Sequence, residues 1–194
     1  MSLLRVKPNG NIYLIGFSGT GKSLSGIRAA ELLKLPFVDM DDLIEYRTRK
    51  TIPEIFAQDG EDVFRNIETD ILHELSEKSS RVVSTGGGVP VSQTNREIMN
   101  QSGIIILLTA TAETIHKRLT ARQSRNRTLR PLLGDNAPEQ RIANLLAERT
   151  EAYSCAHRAI DTEGLSHRQV AAAIENVWQE LSSSSESSQD TPDV

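Results

Sequence analysis

The sequence contains a single cysteine, Cys155, among its 194 residues, and only 4% of its residues are aromatic. One thiol cannot form an intramolecular disulfide or a zinc site built from several cysteines, so both are excluded and a reducing compartment is expected. No apolar run approaches the roughly 20 residues that span a bilayer, and the N-terminus does not resemble a signal or transit peptide. We therefore expect a soluble, cytoplasmic protein.

An excess of basic residues is also lacking. The chain has 22 Lys and Arg against 26 Asp and Glu, a formal net charge of −4. Nucleic-acid-binding domains usually carry a strong basic excess, so we expect neither a nucleic-acid nor a membrane partner. The length suits one domain with a sizeable core, and no feature of the sequence indicates a subunit interface, which favours a monomer.

Segments typical of strands and helices alternate along most of the chain. The predicted strands lie at about 12–15, 37–38, 81–84, 104–108 and 159–160. One helix is predicted directly after the first glycine-rich loop, where Ile27, Ala30, Leu32 and Leu33 recur at helical spacing. Further helices are predicted at about 42–50, 53–58, 61–78, 112–122, 138–153 and 166–181. This alternation predicts an α/β fold in three layers, with a five-stranded parallel sheet between helices.

Three segments fall outside that pattern. Residues 1–10 are predicted to form an N-terminal extension before a domain at 11–181. Residues about 123–137 are polar and rich in arginine, which is typical of a mobile loop. The serine-rich tail at 182–194 has few apolar residues and is predicted to be disordered.

The first glycine-rich loop, from Gly16 to Ser23, matches G-x-x-x-x-G-K-[ST] directly after a predicted strand and before a helix. Its backbone N–H groups and the helix N-terminus can cradle a triphosphate. Lys22 can reach the β- and γ-phosphates, and the Ser23 hydroxyl can bind Mg²⁺. The alternative is a chance glycine turn, but both the sequence and its context favour nucleoside triphosphate binding.

Two aspartates, Asp39 and Asp41, follow the second predicted strand. In an extended chain, residues two apart point the same way, so both carboxylates would share one face. One could help to hold a metal through water, and the other could accept a proton from a substrate hydroxyl. The alternative is a purely structural role, in which Asp41 or Asp42 caps the next helix.

Two further patterns are each ambiguous on their own. Arg65 and Glu68 lie three apart on a predicted helix, where a solvated surface pair is the ordinary explanation. The run Gly86, Gly87 and Gly88 after the third strand suits either a plain tight turn or a backbone that lies against a ligand.

The predicted mobile loop carries a cluster of arginines, and one more stands near the end of the following helix. The cluster comprises Arg122, Arg125, Arg127 and Arg130. Guanidinium groups match phosphate oxygens, so the loop can act as a lid over ATP, although a solubilising basic loop is the alternative. Arg149 by itself indicates nothing.

Together these segments resemble the shikimate kinases, which are similar to nucleoside monophosphate kinases. The resemblance covers about residues 10–180 and is carried by GFSGTGKS, FVDMDDLIE, FRNIE, STGGG, RPLL and ERTEAY, in that order. It implies an ATP- and Mg²⁺-dependent transferase that phosphorylates the 3-hydroxyl of shikimate in aromatic amino-acid biosynthesis, with a mobile lid.

The resemblance also implies roles for individual residues. Catalysis would involve Lys22, Asp41 and Arg130. The nucleotide would be bound by Gly19, Thr20, Gly21, Lys22, Ser23, Leu24 and Arg130. Shikimate would be bound by Asp41, Arg65, Gly86, Gly87, Gly88 and Arg149, and the metal by Ser23 and, through water, Asp39.

The sequence departs from the family pattern at two places. Leu24 stands where Thr is frequent, and the stretch from Arg122 to Arg130 is one residue longer, which leaves open the arginine that contacts adenine. Other kinases of this architecture, acting on gluconate or a nucleoside monophosphate, remain alternatives, as does a nucleotide-dependent switch. No base-recognising segment and no guanine motif is present, and two arginines favour a carboxylate substrate.

Overall fold

The computed structural model describes residues 10–78, 80–123 and 139–186. Its strands are β1 (Asn11–Ile15), β2 (Phe37–Asp39), β3 (Val82–Ser84), β4 (Gly103–Thr109) and β5 (Arg158–Asp161). They form one sheet in the order β2-β3-β1-β4-β5, and every neighbouring pair is parallel. The predicted five-stranded parallel sheet is therefore confirmed.

The helices of the described residues connect these strands and cover both faces of the sheet. They are α1 (Lys22–Leu33), α2 (Met40–Thr48), α3 (Ile52–Gln58), α4 (Glu61–Ser76), α5 (Gln93–Ser102), α6 (Ala112–Gln123), α7 (Glu139–Glu148), α8 (Thr150–Tyr153) and α9 (His167–Glu186). None of the helices in the described ranges is both long and apolar enough to cross a membrane.

The alternation of side chains along β1 separates two cores. Ile12 and Leu14 pack with apolar residues of α1 and α9 on one face. Tyr13 and Ile15 face the other way and join residues of α2, α3, α4 and α5. A side-chain period of two in a strand buried on both faces gives this three-layer arrangement.

Helix α4 buries the apolar stripe that the sequence predicts for it. Phe64, Ile71, Leu72 and Leu75 are buried along one stripe, as the sequence predicted. Burying side chains of this size contributes about 1.5–3 kcal/mol each. The same stripe fixes the rotation of α4 about its axis, and that rotation determines where its charged residues point.

Helix α5 was not predicted from the sequence. Its sequence, QTNREIMNQS, contains only two large apolar residues, and two of its three buried residues, Asn95 and Ser102, are polar, so no apolar stripe marks it as a helix. The helix is instead held by the Ser92 side chain, which accepts a hydrogen bond from the Asn95 N–H, and by the buried Met99. Capping and one buried anchor replace a hydrophobic stripe here.

Two helix boundaries correct the sequence predictions. The helix expected at 138–153 is interrupted at Arg149, which separates α7 from α8. Helix α9 continues to Glu186, so residues 182–186, which were assigned to a disordered tail, are helical. There the Ser183 hydroxyl donates to the carbonyls of Gln179 and Glu180, so its polar group is satisfied within the helix.

The predicted lid and the extremities fall mainly outside the described residues. Residue 123, assigned to the lid, is the last residue of α6. Residues 124–138, 1–9 and 187–194 lie outside the described part of the chain, and so do the predictions made for them.

A buried polar network lies at the end of the sheet where the strands begin. The Tyr13 hydroxyl is 2.7 Å from Ser102 Oγ and accepts a hydrogen bond from Asn11 Nδ2 at 3.0 Å. Asn11 Nδ2 also donates to the Leu75 carbonyl. The hydroxyl of Tyr13 is thus buried and hydrogen-bonded near the amino ends of the strands. Ligands in such sheets bind at the opposite, carboxyl ends.

Candidate active site

The loop between β1 and α1 adopts a conformation that requires glycine. Gly16, Gly19 and Gly21 have φ values of 135°, 90° and 96°, a region that other residues rarely adopt. A Cβ on Gly16 would also overlap the Leu108 carbonyl of β4. The loop therefore wraps closely over the carboxyl end of the sheet, as the phosphate-binding motif predicts.

Lys22 lies across this loop. Its Nζ donates hydrogen bonds to the carbonyls of Gly16 at 2.8 Å and Phe17 at 2.9 Å, and the residue is only 8% exposed. The Thr20 hydroxyl donates to the same Phe17 carbonyl. A buried ammonium beside backbone N–H groups and a helix N-terminus makes a site for a strongly anionic group.

Ser23 and Asp39 form a pair of oxygen donors next to the loop. Ser23 Oγ donates to Asp39 Oδ2 at 2.6 Å. Asp39 Oδ1 accepts the Asp41 N–H at 3.1 Å, so Asp39 caps α2. The alternative in which Asp41 or Asp42 is the cap is therefore wrong. A hydroxyl and a carboxylate fit Mg²⁺, which prefers hard oxygen ligands and keeps several waters.

Asp41 lies at the site, but for a different structural reason from the one predicted. It lies in the first turn of α2, whereas Asp39 ends β2, so the alternation of an extended chain does not relate the two side chains. Its position is instead set by the cap on α2. A Cβ built on Gly86 would lie 3.0 Å from Asp41 Oδ1.

The glycine turn after β3 is the point where the predicted substrate residues meet. A Cβ on Gly86 would lie 2.7 Å from Glu68 Oε1, and one on Gly88 would overlap the Arg65 guanidinium. A Cβ on Gly87 would lie 3.4 Å from Arg149 Nη1 and 3.3 Å from the Gly16 carbonyl. Positions 41, 65 and 149 therefore surround one turn, which itself touches the phosphate-binding loop.

Arg65 is held by two carboxylates of α4. Its Nη1 donates to Glu68 Oε2 at 2.5 Å, and its Nη2 donates to Glu61 Oε1 at 2.9 Å. Glu68 is only 1% exposed, so its interpretation as one half of a solvated surface pair is wrong. Burial and the charge of Asp41 raise the pKa of Glu68 to about 7, against the opposing effect of Arg65.

This raised pKa gives a testable dependence of stability on pH. The folded protein holds the Glu68 proton more tightly than the unfolded chain, whose carboxyl has its usual pKa of 4.5. Stability therefore falls as pH rises from about 4.5 to about 7 and levels off above that. We expect the free energy of unfolding of the wild type, relative to Glu68→Gln, to decrease across this window in urea titrations.

The matched control is Glu61→Gln, which removes the other carboxylate on Arg65 from a half-exposed position. The difference in unfolding free energy between the wild type and Glu61→Gln should not show the same decrease between pH values of about 4.5 and 7. Parallel pH profiles for the wild type and Glu68→Gln would contradict the raised pKa.

Arg149 and Tyr153 both contact the glycine turn at Gly87. Arg149 Nη1 donates to the Gly87 carbonyl at 3.3 Å, and the guanidinium lies 5.2 Å from the centre of the Phe17 ring. The Tyr153 hydroxyl donates to the same carbonyl at 2.9 Å. Residues 149–153 thus contact the glycine turn at Gly87, and Arg149 also contacts Phe17 of the phosphate-binding loop.

Leu24 and Arg130 are the remaining residues that were predicted to bind the nucleotide. The Leu24 side chain is 57% exposed, so only its backbone is suited to a buried ligand. Arg130 lies outside the described residues. Sequence patterns did not assign roles to Glu68 or Tyr153, because their burial arises from tertiary packing. The only available signals were the spacing of Glu68 from Arg65 and that of Tyr153 from Arg149.

Comparisons with known proteins find relatives over most of the chain. A family model described as shikimate kinase matches residues 18–179 of the chain. A shikimate kinase of Thermodesulfovibrio yellowstonii is 41% identical over 89% of this chain and 96% of that protein, and one of Geobacter metallireducens is 42% identical over 84% and 89%. A solved structure of Acinetobacter baumannii shikimate kinase in complex with shikimate is 38% identical, with a TM-score of 0.81 over 89% of this chain and 94% of that one.

Proposed function

The chain belongs to the shikimate kinase family, and from that membership we propose how its own residues perform the reaction. The activity is ATP-dependent phosphorylation of shikimate. The transfer goes from the γ-phosphate of ATP to the 3-hydroxyl and yields shikimate 3-phosphate. The observation that carries the proposal is the contact between the phosphate-binding loop and the glycine turn, around which Asp41, Arg65 and Arg149 lie.

On the nucleotide side, the loop at 16–23 binds the triphosphate through its backbone N–H groups. Lys22 exchanges its two loop carbonyls for the β- and γ-phosphates, which attract an ammonium more strongly than neutral carbonyls do. Ser23 would hold Mg²⁺ directly and Asp39 would hold it through water. When bound, the metal neutralises charge on the phosphate oxygens.

On the substrate side, the two arginines bind the carboxylate of shikimate. Arg65 lies beside Gly88 and Arg149 beside Gly87, and guanidinium forks match carboxylate oxygens. Asp41 and the Gly87 backbone bind the hydroxyls. Gly86 and Gly88 contribute by having no side chain, because a Cβ at either position would collide with the charged groups of the site.

Asp41 is the proposed acceptor of the proton from the attacking hydroxyl. It lies next to the buried Glu68 and across the turn from the phosphate-binding loop. A carboxylate held there can orient the hydroxyl toward the γ-phosphate and take up its proton as the new P–O bond forms. Positioning supplies much of the remaining acceleration in phosphoryl transfer.

Several finer points are also proposals. The family resemblance assigns residues 11–181 to one domain, residues about 123–137 to a lid, and Arg130 to the lid group that contacts ATP during transfer. A lid that excludes water would protect the phosphoryl group from hydrolysis. We further propose that the protein is a cytoplasmic monomer.

The direct test is an ADP-release assay with shikimate, gluconate and AMP as alternative acceptors. We expect Mg²⁺-dependent turnover with shikimate only, because two arginines suit a carboxylated acceptor and the chain has no base-recognising segment. Phosphorus NMR of the product would locate the phosphate on the 3-hydroxyl. Turnover confined to gluconate or AMP would overturn the substrate assignment, and Lys22→Met provides an inactive control.

A further inference from the structure

The carbonyl of Gly87 is shared by two side-chain donors. The Tyr153 hydroxyl donates to it at 2.9 Å, and Arg149 Nη1 donates at 3.3 Å. Both donors belong to one helical turn, in which the Tyr153 N–H donates to the Arg149 carbonyl. The shorter bond comes from the more buried residue, since Tyr153 is only 6% exposed.

The tyrosine is suited to remain a donor at neutral pH. Burial raises the pKa of its hydroxyl, while the nearby Arg149 opposes that rise. The hydroxyl therefore keeps its proton across the physiological range. Arg149, by contrast, carries four other N–H groups and lies over the Phe17 ring, so it can turn without losing all of its contacts.

We propose that Tyr153 is a positioning residue that allows Arg149 to move to the substrate carboxylate. This inference rests on the proposed function, in which Arg149 binds that carboxylate. When Arg149 turns, the Gly87 carbonyl keeps the tyrosine bond and stays satisfied. Without the hydroxyl, the same movement removes the last side-chain donor from a partly buried carbonyl, and that penalty is added to substrate binding.

The test is the affinity of Tyr153→Phe for shikimate, measured by calorimetry in the presence of ADP. We expect Kd to rise about five- to twentyfold, the lower part of the range for an unsatisfied polar group because Gly87 is partly exposed. The KM for ATP should stay within about twofold of the wild type, because the nucleotide contacts are untouched.

A second ligand separates this mechanism from a merely structural role. The methyl ester of shikimate has no carboxylate to draw Arg149 away from Gly87. The loss of affinity caused by Tyr153→Phe should therefore shrink to less than about twofold for the ester. In an Arg149→Ala background, Tyr153→Phe should likewise add nothing to the Kd for shikimate.

The matched control is Tyr13→Phe, which removes another buried tyrosine hydroxyl, at the opposite end of the sheet. It should lower stability and leave the Kd for shikimate unchanged. Tyr153→Met, which also lacks a donor and fills much of the same space, replaces Tyr153→Phe if that variant does not fold.

Three outcomes would overturn the inference: an unchanged Kd for shikimate, an equal loss of affinity for the acid and its ester, or an additive loss in the Arg149→Ala background. Failure of the proposed function is distinguishable from all three. If the proposed function is wrong, the wild type will show no turnover of shikimate. If only the inference is wrong, the wild type will be active, but Tyr153→Phe will not change the ratio of the Kd values for shikimate and its ester.

Discussion

Replacing Asp41 with asparagine is expected to lower kcat by about 10²–10⁴-fold, the range for loss of a general base. The amide keeps the size of the side chain beside Gly86 but cannot accept the proton of the attacking hydroxyl. The KM for ATP should change little, because the phosphate-binding loop is not altered. Single-turnover phosphoryl transfer, measured by rapid quench, separates this loss of chemistry from slow product release.

Asp42→Asn is the matched control for that experiment. Asp42 is the next residue of α2 and is exposed, so its variant removes the same charge one position away. It should leave kcat within about twofold of the wild type, as surface substitutions usually do. A loss of less than about tenfold in Asp41→Asn would make Asp41 a positioning residue, which is compatible with a loose transition state.

Replacing Arg65 with alanine is expected to weaken shikimate binding by about 2–5 kcal/mol, the cost of removing one partner of a buried charge pair. This corresponds to a rise in Kd of roughly 30- to 5,000-fold. Binding of ATP should be nearly intact, because Arg65 contacts the glycine turn and not the phosphate-binding loop. Separate calorimetric titrations with shikimate and with an ATP analogue measure both effects.

Two further variants make the Arg65 result interpretable. Arg65→Ala leaves Glu68 as a buried carboxylate without its ion-pair partner, so its effect can include a loss of stability. Combining it with Glu68→Gln removes that charge and should restore stability without restoring shikimate affinity. Arg47→Ala, which removes an exposed arginine paired with Glu74, should affect neither ligand. Equal losses of shikimate and ATP affinity would contradict the assigned role of Arg65.

The fold and the nucleotide loop could be predicted because their patterns are local. Strand-like runs alternate with helices, and the glycines at 16, 19 and 21 are required by the backbone that they form. Helix α5 could not be predicted because two of its three buried residues, Asn95 and Ser102, are polar, so the spacing of its buried face carries no apolar pattern.

The substrate side of the site was predictable only through the family resemblance. The sequence gives no indication that Glu68 is buried, because that depends on the rotation of α4 against the sheet. The alternation of an extended chain predicts Asp41 near the site. The residue does lie beside Gly86, but it belongs to a helix, so the alternation is not the cause. Arg149 became informative only when the break between α7 and α8 brought it against Gly87.

The tight packing around Gly86 and Gly88 limits how this enzyme can be re-engineered for other acceptors. A side chain at Gly86 or Gly88 would meet the charged ends of Asp41, Glu68 and Arg65, so it would displace several charges at once. Arg149, which precedes α8, and Tyr153, its last residue, contact the turn at Gly87. Mutant libraries aimed at new substrates should therefore vary α8 and leave the glycines fixed.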